Sequence, residues 1–193
     1  MLQRSDVLLR CRGDTLMAEQ KVGEQGAFDI RPAGREDVGI VHGMIRALAD
    51  FEKLSHLCVG SESDLETALF GSHPAAEVLI AWMGRDSAGF ALFFHNFSTF
   101  LGRRGIWLED LFVRPAYRRQ GCACALLRAI GALAVERGCG RLEWAVLDWN
   151  ASAIGFYESL GATVLPDWRI TRVTGPALIR LAAETPTQGS RGQ

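Results

Sequence analysis

The stretch YRRQGCACALLRAI, Tyr117 to Ile130, decides how this chain is read. It opens on two arginines, a glutamine and Gly121, passes through small side chains, and then turns apolar at helical spacing. Leu126, Leu127, Ile130, Leu133 and Ala134 form one face, and Gly138 closes the helix. A helix start carries amides that no helical carbonyl can serve, together with a partial positive charge. A strand that feeds such a start through a glycine turn makes a ready anion site. Gly121 and Ala123 keep bulk out of the turn, and Arg118 and Arg119 add charge. By themselves these residues support two readings: plain strand-to-helix geometry, or a backbone on which a phosphate lies. No glycine–lysine pair precedes Ser or Thr, so there is no Walker loop, and the GxGxxG dinucleotide fingerprint is absent.

Working outward, GIWLEDLFV (105–113) reads as a strand closed by Arg114-Pro115, and RLEWAVLD (141–148) as another. With the helix between them they make a β-α-β unit, so the two strands should be parallel. FDIRPA (28–33) alternates like a strand. Val38, Val41, Ile45, Leu48 and Ala49 mark a helix within 34–54, and Ser61 or Ser63 caps a second helix that Gly71 stops. AEVLIAWM (76–83) and AGFALFFHNF (88–97) form a hairpin around a polar turn rich in glycine. NASAIGFYESLGA (150–162) is a short helix capped by Asn150 and stopped by Gly161. DWRITRVT (167–174) and ALIRLAA (177–183) suggest a last hairpin around Gly175-Pro176. The order predicts a mixed α/β (α+β) layer, a central sheet with helices on both faces.

Composition bounds the rest. The 193 residues suit one domain with tails, and 48% hydrophobic content can bury a core. A net charge of -1 argues against nucleic acid or an anionic membrane as partner. No apolar run approaches the roughly 20 residues of a membrane span. Five cysteines, an odd number with no CxxC pair, read as reduced thiols of a cytoplasmic protein. The four histidines are scattered without ligand spacing, so no metal is expected. Residues 1–26 read as a disordered extension in which Met17 is an alternative start, 27–183 as the domain, and 184–193 as a disordered tail.

RRQGCA, Arg118 to Ala123, matches the Arg/Gln-x-x-Gly-x-Gly/Ala signature of the GNAT superfamily of N-acetyltransferases. The resemblance runs from about Phe28 to Ala183. WLEDLFVRPAYRRQGCACALL followed by LDWNASAIGFYESLGA resembles the spermidine/spermine (diamine) and thialysine acetyltransferase branch. It implies a GNAT fold with a splayed parallel strand pair and acetyl-CoA as cosubstrate. The backbone of Leu111, Phe112 and Val113 would pair with the pantetheine arm. Arg118, Arg119, Gln120, Gly121, Cys122, Ala123 and Cys124, with neighbours up to Ala125, would hold the pyrophosphate, and Asn150 the cofactor arm. The resemblance also implies a small-molecule amine substrate and a homodimer.

Acetyl transfer to an amine needs a base for the ammonium, donors for the carbonyl oxygen and an acid for the departing sulfur. The resemblance places the acid at Tyr157, which also contacts the cofactor. Periodicity alone would make Tyr157 a core aromatic sharing a face with Ile154 and Leu160. Glu109 and Asp110 are adjacent carboxylates in an apolar strand, where alternation should turn one of them inward; a splayed or bulged edge that wets both is the alternative. The resemblance makes Glu109 the base and Asp110 a substrate residue, and aligns Phe51, Glu52 and Trp168 with substrate contacts. On their own, Glu52 reads as solvated helix surface and Trp168 as core. FSTFLGRRG (97–105) departs from the diamine enzymes, with Thr99 and Leu101 near positions where they carry an aspartate and a tryptophan. Arg103 and Arg104 there argue against long polycations. The other functions weighed are a protein or peptide acetyltransferase and a non-catalytic acyl-CoA-binding module.

Overall fold

A computed structural model describes residues 28–183. The expectations for residues 1–26 and 184–193, Cys11 and Met17 included, lie outside the described residues. The described chain divides after Leu147 into two compact units.

In the first unit, five strands lie in sequence order: β1 (Asp29–Pro32), β2 (Glu77–Met83), β3 (Asp86–Ser98), β4 (Arg103–Val113) and β5 (Leu142–Trp144). All neighbours are antiparallel except β4 and β5, which run parallel as the β-α-β reading requires. The helices are α1 (Val38–Phe51), α2 (Glu62–Phe70) and α3 (Cys122–Glu136). Ser61, rather than Ser63, caps α2: its hydroxyl accepts from the Asp64 amide at 3.1 Å, and Asp64 returns the bond to the Ser61 amide.

Alternation along β3 assigns the two faces. Phe90 packs in one cluster with Val41 and Met44 of α1, with Val78, Ile80 and Trp82 of β2 and with Phe112. Gly89 faces the other way, where a Cβ would sit 3.3 Å from Cys122 Sγ of α3. The sheet therefore lies between α1 and α3, with helices on both faces as predicted.

One irregularity redirects the chain. Leu92 of β3 pairs with Asp110 and Phe93 pairs with Leu108, so Glu109 is an extra residue, a β-bulge. Before it, Ile106 and Leu108 oppose His95 and Phe93, the α3-facing positions of β3. After it, Asp110 and Phe112 oppose Leu92 and Phe90, the α1-facing positions. In an unbulged strand all four would share a face. Parallel pairing with β5 stops at the same place, at Leu108 with Trp144. The strand expected over 141–148 is thus only Leu142–Trp144, because β4 bends away at the bulge and leaves residues 145–147 no registered partner.

The second described unit, 148–183, holds α4 (Ala151–Ser159) and α5 (Gly175–Ala183). Asn150 caps α4 as read from the sequence, its Oδ1 accepting from the Ala153 amide at 3.2 Å. The last hairpin is overturned: 169–174 form no strand and ALIRLAA is helical. Gly175-Pro176 is a helix start. Proline suits the first turn of a helix, and Ala, Leu and Arg are strong helix formers.

Gly89 tests this packing. A Cβ there would come within 2.5 Å of the Phe112 carbonyl and 3.2 Å of Val113 Cα, both backbone atoms that cannot step aside. Gly89→Ala should lower the unfolding free energy by about 1–3 kcal/mol in urea denaturation.

Candidate active site

The end of β4, the turn after it and the end of α1 gather most of the predicted residues of the first unit. Arg114 N–H donates to Ala88 C=O at 2.9 Å. In an antiparallel ladder successive residues aim their backbone groups to opposite sides. Phe112 and Arg114 therefore bond toward β3, while Leu111 and Val113 aim N–H and C=O at the side that β5 has left. Among the described residues no strand is registered against them there. This edge can accept an extended, amide-bearing chain.

The turn fits an anion. Gly121, the N-cap of α3, has φ +87°, a left-handed conformation that favours glycine. A Cβ there would meet nothing within 4 Å, so the conformation selects the glycine and the space above it is open. Arg119 is also left-handed at φ +61°, which costs about 1 kcal/mol for a residue with a Cβ. The first helical bond runs from Ala125 N–H to Gly121 C=O at 2.9 Å. Ala125 is thereby used within the helix, and the amides of Gly121, Cys122 and Ala123 precede that bond. Gln120 is turned back onto the loop, its side-chain amide donating to Ala116 C=O at 2.8 Å. Cys122 is buried and its thiol is pushed up to about 11 by burial. It fills space as a protonated thiol and offers a ligand only its backbone.

The carboxylates lie on the α1 face. Trp107 opposes Phe94, an α1-facing position of β3, and its indole N–H donates to Glu109 Oε2 at 2.8 Å. The bulge thus sets Glu109 and Asp110 on the same face, where regular alternation would have separated them. Glu109 is exposed and Asp110 half-buried. The Asp110 carboxyl is pushed up to about 6, first by burial, then by the charges of Glu109 and Glu52. None of these three causes is a cation. Glu52, at the end of α1, is half-buried and likewise raised by burial. The bulged-edge alternative is the one found, although only Glu109 is exposed while Asp110 is half-buried, and the charge of Glu52 reaches Asp110 as well.

Phe51 precedes Glu52, and Arg118 stacks on its ring with Cζ 4.8 Å from the centroid. Trp107 and this Arg118–Phe51 contact were not anticipated. Trp107 was within reach, standing two residues before Glu109 on a strand. The arginine contact joins residues far apart in sequence and left no local signal. Arg103 and Arg104 stand at the opposite end of β4, roughly 20 Å along the strand from Asp110 and beyond the reach of screened charge.

Asn150, Tyr157 and Trp168 belong to the second unit. Tyr157 is half-buried on α4, with its ring centroid 5.5 Å from that of Phe156. No residue of α4 is fully buried and Leu160 is 37% exposed, so α4 carries no closed apolar face. Trp168 is 77% exposed, which removes its reading as a core residue. Among the described residues no group of three or more His, Cys, Asp or Glu is clustered to hold a metal, and no helix is long and apolar enough to cross a membrane.

Asp110 gives a stability prediction. Its value in the folded state lies above its ordinary 3.8. The folded protein therefore holds that proton more tightly, and stability falls as pH rises from about 4 to about 6. Asp110→Asn should be more stable than the wild type at pH 7, by on the order of 2–3 kcal/mol, with the difference shrinking toward pH 4. Urea denaturation at both pH values checks the sign.

The sequence profile of the acetyltransferase (GNAT) family matches residues 45–162. The chain is 36% identical over 210 aligned positions to the L-ornithine N5-acetyltransferase NATA1 of Arabidopsis thaliana, covering 86% of this chain and 92% of that protein. It is 37% identical over 164 positions to the thialysine N-epsilon-acetyltransferase of Mus musculus, covering 79% of this chain and 96% of that protein. In fold it is similar to an integron cassette protein from the mobile metagenome of V. cholerae, with TM-score 0.70 and 24% identity over 82% of this chain and 99% of that one.

Proposed function

The chain belongs to the acetyltransferase (GNAT) family, and on that footing we propose that it transfers acetyl from acetyl-CoA to a small primary amine of the ornithine, thialysine or diamine kind, by direct attack in a ternary complex. One observation carries the substrate class: Glu52 and Glu109 lie near enough to Asp110 that, after burial, their charges raise the Asp110 carboxyl. Such a cluster favours a compact cation, whose charge would offset the burial and repulsion that raise Asp110. The names of the relatives, which specify ornithine and thialysine, support the same class.

The cosubstrate supplies an activated acetyl thioester, and the residues fit it. The outward backbone of Leu111 and Val113 suits the amides of a pantetheine arm. The amides from Gly121 to Ala123, with Arg119 beside them, suit a pyrophosphate. The Nδ2 group of Asn150 is its remaining donor once Oδ1 caps α4. Glu109, exposed and steered by Trp107, takes the proton from the ammonium, directly or through water. Asp110 and Glu52 hold the amine's charge. The Val113 amide donates to the acetyl oxygen as negative charge grows on it. Tyr157, protonated at neutral pH, gives its proton to the departing sulfur. Phe51 and Trp168 complete the substrate side. A cytoplasmic homodimer belongs to the same proposal, and the exposure of Leu165, Trp168, Ile170 and Leu181 supports a partner surface in the second unit.

An amine panel with acetyl-CoA, followed by thiol release, tests this. Ornithine, thialysine, lysine, putrescine, spermidine and a lysine-containing peptide should separate, with turnover on a small amine and least on the peptide. Turnover on the peptide alone would point to a protein target, and CoA binding without turnover on any amine to the non-catalytic module. Tyr157→Phe should lower kcat by roughly 10²- to 10⁴-fold while acetyl-CoA still binds. Unchanged turnover would remove Tyr157 as the acid.

A further inference from the structure

Arg118 occupies the signature position at which the loop begins, yet its guanidinium is engaged inward. Its Nε donates to Val113 C=O at 3.0 Å. Its Cζ lies 4.8 Å from the Phe51 ring centroid and 5.9 Å from that of Phe112. One side chain thus joins the strand-to-helix turn, the end of β4 and the last residue of α1. The residues beside the two ends of this contact are the two positive-φ residues other than glycine found among the described residues, Lys53 at +62° and Arg119 at +61°. At Lys53 the left-handed conformation closes α1: Lys53 N–H donates to Asp50 C=O at 3.1 Å and Leu54 N–H to Ala49 C=O at 2.8 Å, the paired bonds of a left-handed helix cap. A cation between two rings, with one N–H fixed on a carbonyl, is a directional contact that needs the planar fork of arginine.

We propose that Arg118 is a positioning residue that couples the phosphate-binding turn to the carboxylate cluster. By clamping Phe51 it sets Glu52, the next residue, against Asp110, and an anion held on the turn tightens that clamp. Cosubstrate and amine then bind with positive, reciprocal coupling. This rests on the function proposed above for the turn and the cluster. Its core, that Arg118 holds the end of α1, does not.

Hydrogen exchange by mass spectrometry on the full chain tests it. In the ligand-free protein, Arg118→Ala should speed exchange several-fold in the peptide spanning residues 48–57. Arg119→Asn, which removes the neighbouring charge and tolerates the left-handed conformation, should not. Saturating CoA should slow exchange of that peptide in the wild type, and should fail to do so in Arg118→Ala or Phe51→Leu. In steady state both variants should raise the KM for ornithine roughly fivefold or more with a smaller change in kcat, and Arg118→Lys should not rescue it. Equal ligand-free exchange in the wild type and Arg118→Ala overturns the clamp. CoA that binds the wild type but leaves 48–57 unprotected overturns the coupling. Failure of CoA to bind the wild type at all would instead overturn the cosubstrate reading, and the ligand-free comparison would still decide the clamp.

Discussion

The single extra residue at Glu109 is the constraint on which the site depends. Without it Asp110 and Phe112 would continue the face of Ile106 and Leu108 and point at α3. With it, the strand changes faces in one step, Phe112 enters the core beside Phe90, and Asp110 comes under the end of α1. The same bulge ends the parallel ladder to β5 and leaves the outward backbone of Leu111 and Val113 without a registered strand. Bulges increase local twist and re-aim side chains. Here one bulge sets an open strand edge and a carboxylate cluster within a few residues of each other.

That arrangement is costly to the fold. Two consecutive carboxylates on one face, with a third from α1, raise the Asp110 carboxyl into the range where it is partly protonated near neutrality. Other carboxylates of the first unit have a cationic partner. Glu77 is lowered by the paired guanidinium of Arg137, which also bonds His95, and Arg141 pairs with Glu143. The crowding falls on residues that the family resemblance assigns to the base and to substrate contact, where stability is commonly given up for function. An N-acetyltransferase acting on a charged amine has use for a site in which the substrate completes the charge balance.

Much of this was legible in the sequence. The helical spacing of α3, the glycine at its start and the β-α-β order pointed to the parallel pair, Asn150 was read correctly as a cap, and Ser61 was one of the two serines offered for α2. The bulge was legible only as an alternative: the adjacent Glu109 and Asp110 break the apolar pattern of β4, but whether a strand absorbs an extra residue depends on the pairing partner that sets the register. For the same reason it stayed open whether Glu109 and Asp110 share a face, and the full length of β5 was overestimated. Gly175-Pro176 serves a turn or a helix start equally well, and the helix-forming ALIRLAA behind it should have weighed more. The Arg118–Phe51 contact needed the tertiary structure.

The most direct test of the charge-deficient cluster is the pH titration of the Asp110 side-chain carboxyl by carbon NMR, in the free protein and with ornithine and CoA bound. A midpoint near about 6 that falls when the amine binds is the predicted result. An ordinary carboxylate midpoint near 3.8, unmoved by the amine, would mean that these carboxylates neither crowd one another nor receive the substrate's charge, and would contradict the account.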